Sequence, residues 1–189
     1  PAGPARIWVA KSGDKIIATY AAIPHQVSVD GKIGVGWRIQ DVLTRPEYRG
    51  RGIYHELSKI ATQFLSGPEF LLNFTFPKDR STSHNGFVRS GWTNAFRVPL
   101  KLLKDVKRMG YQVVQAEVSQ LLLFDSHTDR IWQSYVQRIH YAVHRTYQYL
   151  NWRYLSNPRG KYFPFQLTMD GDELILVLKY YNREDGTRW

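Results

Sequence analysis

The chain of 189 residues contains no cysteine. Disulfides, thiolate-held zinc and a thiol nucleophile are therefore excluded. Any group transfer would pass directly from donor to acceptor, or through Ser, Lys or His. No apolar run approaches the roughly 18 residues a membrane-spanning helix needs; one of the longer, Leu121–Phe124, reads as core material. The N-terminus shows neither a signal-peptide pattern nor a Met, as expected of a processed or truncated start. With no cysteine to oxidise, a reducing cytoplasm is the expected location. The P-loop pattern G-x-x-x-x-G-K-[ST] is also missing.

What is present is positive charge and aromatic surface. Lys and Arg number 26 against 16 Asp and Glu, a net charge of +10. Such a chain attracts anions in general: phosphorylated cofactors, nucleotide-linked sugars or nucleic acid. Hydrophobic content of 43% with 14% aromatics belongs to a globular protein. The length allows one sizeable core, or one core plus a smaller packed unit.

The stretch from Asp41 to Leu57 reads as a strand end, a turn, a glycine loop and the start of a helix. Gly50 and Gly52 bracket Arg51, and Arg49 precedes them. Beyond them Ile53, Leu57, Ile60, Ala61, Phe64 and Leu65 fall on one helical face. A glycine loop that opens a helix leaves backbone N–H groups and partial positive charge at an open end, an anion site. A side chain at either glycine would hold a phosphate off the backbone. The dinucleotide fingerprint does not fit, because its third glycine is absent.

Arg49-Gly-Arg-Gly-Ile-Tyr54 resembles the pyrophosphate loop of the GNAT acyltransferase superfamily, roughly [QR]-x-x-G-x-[GA], with Tyr54 replacing the last small residue; read two residues earlier, Glu47-Tyr-Arg-Gly-Arg-Gly52 keeps both glycines but has Glu47 in the first place. A second segment, Phe87-Val-Arg-Ser-Gly91-Trp92, is similar to the family's Tyr-x-x-x-Gly-aromatic signature. Phe87 stands where the family keeps the tyrosine that serves as general acid. The resemblance covers residues 6–98. It implies an α/β (α+β) fold: a mixed, mostly antiparallel twisted sheet flanked by helices. It also implies acetyl-CoA as co-substrate, with Arg49, Gly50, Arg51, Gly52, Ile53 and Tyr54 around its pyrophosphate, and a strand splayed from its neighbour to admit pantetheine. Gly34 and Gly36, in the strand before the loop, fit a bulge or a close backbone approach.

Turn signals and periodicity predict strands at 6–10, 15–23, 27–30, 32–42, 69–76, 93–98 and 111–118. Helices are expected at 53–65, from Ser81 or Ser83 to Ser90, and at 99–109, 128–139 and 145–155, with a hairpin at 162–181. Lys101, Lys104, Lys107 and Arg108 form a basic face on the third of these helices, read as solvated. The segment Arg145–Pro158 resembles the opening of the second half of bacterial two-lobed GNAT proteins. That resemblance divides the chain into a GNAT-like acyl-CoA-binding core at 1–99 and a partial second GNAT-like lobe at 100–189.

Asp41, at the end of the strand entering the loop, and Glu47, in the turn, are candidate bases for a primary amine. Asp41 is equally readable as a turn-capping carboxylate. His84 follows the central strand and joins them as a candidate. His140 and His144 have metal-ligand spacing if helical, but lack the Glu of H-E-x-x-H and a third ligand, so no metal is expected. The aromatic stretch 131–165 reads as core before it reads as a base-stacking platform. The expected function is N-acetyl transfer from acetyl-CoA to a small amine or amino sugar by direct attack. The alternatives are a non-enzymatic nucleic-acid or anion-binding module, and a GNAT fold that has lost activity. Nucleic acid ranks below a small anionic ligand, no membrane span is expected, and a homodimer is compatible with the sequence.

Overall fold

The computed structural model describes residues 2–96, 115–158 and 160–179. The expected helix at 99–109, with its basic face, lies outside the described residues, as do residues 97–98 and 111–114 of two expected strands. Residues 93–96 form no strand. Among the described residues, those up to 96 together with His140–His144 form one compact unit, and the others form a second. The stretch His140–His144 thus returns to the first unit from within the span assigned above to a second lobe.

In the first unit, β1 (Arg6–Ser12), β2 (Lys15–Val29) and β3 (Lys32–Thr44) form an antiparallel meander. The β2–β3 turn is Asp30-Gly31, both at positive φ (48° and 80°). That is the type I′ geometry which matches the twist of paired strands. The two strands expected at 15–23 and 27–30 are one. Pro24 does not break β2, because its ring side faces the interval between β1, whose last partner is Ala22, and β6, whose first is Val27. α1 (Ile53–Leu65) carries the chain across to β4 (Phe70–Phe74), which pairs parallel with β3. The glycines of β3 serve this pairing: a Cβ on Gly36 would lie 2.8 Å from the carbonyl oxygen of Leu72, and the ladder slips between Val35 and Gly36. α2 spans Thr82–Arg89.

The core holds Ala18, Tyr20, Ala22, Trp37, Ile39, Leu57, Ala61, Leu65 and Phe87. α1 turns Leu57, Ala61 and Leu65 inward, while Ile60, placed on that face by its spacing, is 51% exposed. The inward row runs at i, i+4, i+8, which leaves the i+3 position at the rim. Phe64 is also partly exposed but packs edge-on against Trp8 and Trp37.

α2 ends in a Schellman motif. The Trp92 N–H donates to the Phe87 carbonyl, the Gly91 N–H donates to Val88, and Gly91 takes φ 86°. The Phe87 and Trp92 rings make the accompanying apolar contact, 5.1 Å apart. The glycine–aromatic signature is in physical terms this helix stop.

In the second unit, β5 (Glu117–Gln120), β7 (Tyr162–Met169) and β8 (Asp172–Lys179) form an antiparallel sheet in the order β5-β7-β8. Asp170-Gly171 makes the second type I′ turn. α3 (Ser126–Val136) is capped by Asp125, whose carboxylate accepts the His127 N–H. α4 (Tyr147–Leu150) continues as a π turn over Asn151–Leu155. The Asn151 amide exchanges two hydrogen bonds with the backbone of buried Phe124. β6 (Tyr141–Val143), which belongs to the first unit, pairs with Val27–Val29 of β2. This corrects the helical reading of His140 and His144: in a strand, residues four apart stand roughly 13 Å from each other, too far to share an ion. His140 Nδ1 lies 2.6 Å from Asp30 instead, and among the described residues no group of three potential ligands gathers.

Candidate cofactor-binding site

The candidate site grows from the way β3 ends. β4 pairs with β3 only from Val35 to Arg38, and the Thr75 hydroxyl caps the ladder by donating to the Ile39 carbonyl at 3.0 Å. Past that point, among the described residues, Gln40–Thr44 has no strand on its β4 side. This leaves a gap in the sheet beyond the end of β4, with unpaired β3 backbone along one side. The glycine loop begins directly above it.

A bulge sits at the mouth of this gap. The β2–β3 register passes from Ala21–Gln40 to Thr19–Leu43, so Asp41 and Val42 together oppose Tyr20. The extra residue reverses the alternation: Val35, Trp37 and Ile39 face the core, and beyond the bulge it is Val42. Asp41 takes the left-handed conformation, φ 50°, which Asp tolerates better than most residues. Its carbonyl accepts from the Thr19 hydroxyl at 2.9 Å, and its exposed carboxylate accepts from the Gln40 amide at 3.2 Å. The carboxylate is thus presented to solvent by a defined backbone feature.

The loop is held by its own cations. A turn over Pro46–Tyr48 leads into it. Arg49 Nε donates to the Thr44 carbonyl at 3.0 Å, and Arg51 Nη2 donates to the Glu47 carbonyl at 3.1 Å while its guanidinium stacks 5.1 Å over Tyr48. Arg45 Nε donates to Ile16 at 2.8 Å. Lys15, which the sequence reading passed over, pairs with Glu47 at 3.1 Å and stands 5.8 Å over Tyr48. Nothing local in the sequence marks it, because the pair is formed between β2 and the loop.

Gly50 and Gly52 both take positive φ (74° and 78°), and a Cβ at either would meet no atom within 4 Å. The space in front of the loop is open, and only glycine holds this backbone without strain. The first helical bond of α1 runs from the Glu56 N–H to Gly52, and no side chain caps the helix. The N–H groups of Ile53, Tyr54 and His55 thus lie outside the helical ladder and face the loop end. Donors, open glycines and cations coincide, as a phosphate or pyrophosphate requires.

The remaining candidates divide. Glu47 is exposed, and a hydrogen bond from its own backbone and then the Lys15 ammonium hold its carboxyl below the usual range. A carboxylate so stabilised is a weak base. His84 lies on the first turn of α2, where its N–H closes the Ser81 cap and its Nε2 meets Asn94 Oδ1 at 3.0 Å. Among the described residues no hydrogen bond joins Asp41, Glu47 and His84. Tyr54 contributes its backbone to the loop end, but its ring turns away, packed edge-on against Phe87 at 6.0 Å. Phe87 is 4% exposed and belongs to the core.

The comparisons with known proteins bear on the same residues. Residues 2–81, which carry β1 to β4 and the loop, match the family model of the GNAT acetyltransferase domain. No curated protein matches the chain. Among solved structures, a probable N-acyltransferase from Enterococcus faecalis aligns over 95% of this chain and 45% of its own, with 17% identity and a TM-score of 0.65. A GCN5-related N-acetyltransferase from Anabaena variabilis aligns over 95% and 46%, with 14% identity and a TM-score of 0.59. The chain spans less than half the length of either protein. At these identities the likeness is one of fold, and it runs through both units.

Proposed function

We propose that this chain, whose residues 2–81 match the family model of the GNAT acetyltransferase domain, transfers an acetyl group from acetyl-CoA to a primary amine. The single observation that carries the reading is the open glycine loop that follows the unpaired end of β3. Bound acetyl-CoA would supply an activated thioester. Its pyrophosphate would take the N–H groups of Ile53, Tyr54 and His55 with Gly50 and Gly52 beneath, while Arg49 and Arg51 add charge at the rim. Its pantetheine would lie in the gap, where alternate β3 N–H groups between Gln40 and Thr44 point away from β2. One of these would hold the oxyanion formed on attack.

Asp41 is the favoured base. It stands exposed at the mouth of the gap, and no cation neutralises it among the described residues, whereas Glu47 is committed to Lys15. It would take the ammonium proton, directly or through one water, so that the amine attacks the thioester carbon. Departure of the thiolate needs little help, since a free thiol has a pKa near 8.5. The acceptor is a small amine or amino sugar, and residues 100–189 read as a partial second GNAT-like lobe. No described helix is long and apolar enough to cross a membrane.

A thermal-shift comparison tests this reading. Acetyl-CoA or CoA should raise the melting temperature at physiological salt, and an oligonucleotide of equal charge should not. The reverse pattern would support the anion- or nucleic-acid-binding alternative and remove the cofactor reading.

A further inference from the structure

One residue of α1 stands out against the loop pattern, and the structure joins it to a glycine inside α2. With the loop pattern set on Arg49–Tyr54, Tyr54 stands where the pattern has a small residue. Its ring does not enter the open space before the loop. It lies between α1 and α2, edge-on to Phe87 at 6.0 Å and tilted against Tyr20 at 6.4 Å. The residue it meets on α2 is Gly86: a Cβ there would come within 3.1 Å of Tyr54 Cε1 and 3.3 Å of Cζ. Gly86 has no positive φ to explain a glycine, and within a helix glycine is a poor choice. The space left by its missing side chain is filled by the Tyr54 ring.

We propose that Tyr54 and Gly86 form a steric lock that fixes the first turn of α1, and with it the phosphate-facing N–H groups, against α2. Tyr54 is thereby a positioning residue for the cofactor, acting through its ring and not its hydroxyl. The hydroxyl is buried beside Ser58 and Ser90 without hydrogen-bonding geometry to either, and makes no hydrogen bond among the described residues. It therefore contributes little that a phenyl ring would not. The ring, by contrast, is the second residue of α1, adjacent to Ile53 and two residues from Gly52. Any slackening of its packing moves the donors directly. The two residues divide one volume between them, a large side chain on α1 and none on α2.

This inference rests on the cofactor reading above, so its test separates the two. CoA is titrated calorimetrically into the full chain and its variants, and each is melted without ligand. Tyr54→Ala should weaken CoA binding by about tenfold or more, a loss of about 1.4 kcal/mol, and Tyr54→Phe, which keeps the ring, should weaken it by much less. Adding Gly86→Leu to Tyr54→Ala should return most of the affinity by refilling the space from the other helix. Gly86→Leu alone, with the tyrosine ring in place, should weaken binding. Equal CoA affinity for wild type and Tyr54→Ala would overturn the lock, and so would failure of Gly86→Leu to rescue a folded Tyr54→Ala. A wild type that binds no CoA would instead sink the cofactor reading, and the positioning role with it, while the Tyr54–Gly86 packing would still show as rescue in melting.

Discussion

Restoring a tyrosine at position 87 is the obvious way to supply the acid that the signature leads one to expect, and the structure says it should fail. Phe87 is 4% exposed, one face against Tyr54 and another against Trp92, within the core shared by β2, β3 and α1. Phe87→Tyr would place a hydroxyl in that aromatic cluster, where the Tyr20 and Tyr54 hydroxyls already make no hydrogen bond among the described residues. A buried hydroxyl without a partner costs roughly 1–3 kcal/mol. For a chain of this size that lowers the melting temperature by roughly 2–12 °C. Turnover with an identified amine should change by less than about tenfold, equivalent to 1.4 kcal/mol of activation free energy. Calorimetric melting and steady-state rates on the same preparations give both numbers. A variant as stable as wild type whose turnover rises more than tenfold would refute the reasoning, because the new hydroxyl would then have reached the reacting atoms.

Asp41→Asn keeps a residue that tolerates the left-handed conformation, so its melting should be unchanged while turnover falls by more than about tenfold; unchanged turnover would remove Asp41 as the base. Burial, aided in Tyr20 by neighbouring Tyr54, pushes the phenols of Tyr20 and Tyr54 above the usual tyrosine range. The native state therefore keeps these protons above about pH 10, where unfolded tyrosines lose theirs. Stability should be fully present below that pH and fall as pH rises through the folded values. Tyr20→Phe should flatten that alkaline limb, and a limb of unchanged slope in urea titrations would contradict the assignment.

The parts of the molecule that were legible in the sequence are those written locally. The glycine loop, the helix after it and the Asp-Gly hairpins each declare themselves through a few adjacent residues. What escaped depends on distant partners. Nothing near His140 reveals that Tyr141–Val143 adds to β2, since the pairing joins residues more than a hundred positions apart. The bulge at Asp41 is invisible because an aspartate at positive φ looks like any other, and the reversal of faces after it shows only against the core. Ile60 misled because a helical stripe wide enough to include it is wider than the face the sheet covers. Of the candidate site, the loop was readable as a cradle, whereas the commitment of Glu47 to Lys15 and the turning of Tyr54 toward Gly86 are contacts between elements.

The central claim, that the Arg49–Ile53 loop holds the pyrophosphate of CoA, is tested most directly by calorimetric titration of CoA into wild type and Gly52→Val. Valine strains a backbone at φ 78° and puts its branch into the open space before the helix end. The account predicts saturable binding to wild type and a loss of at least about tenfold in the variant, with the folded state of the variant verified by its melting. Equal binding by the two proteins, or no binding by wild type, would contradict it.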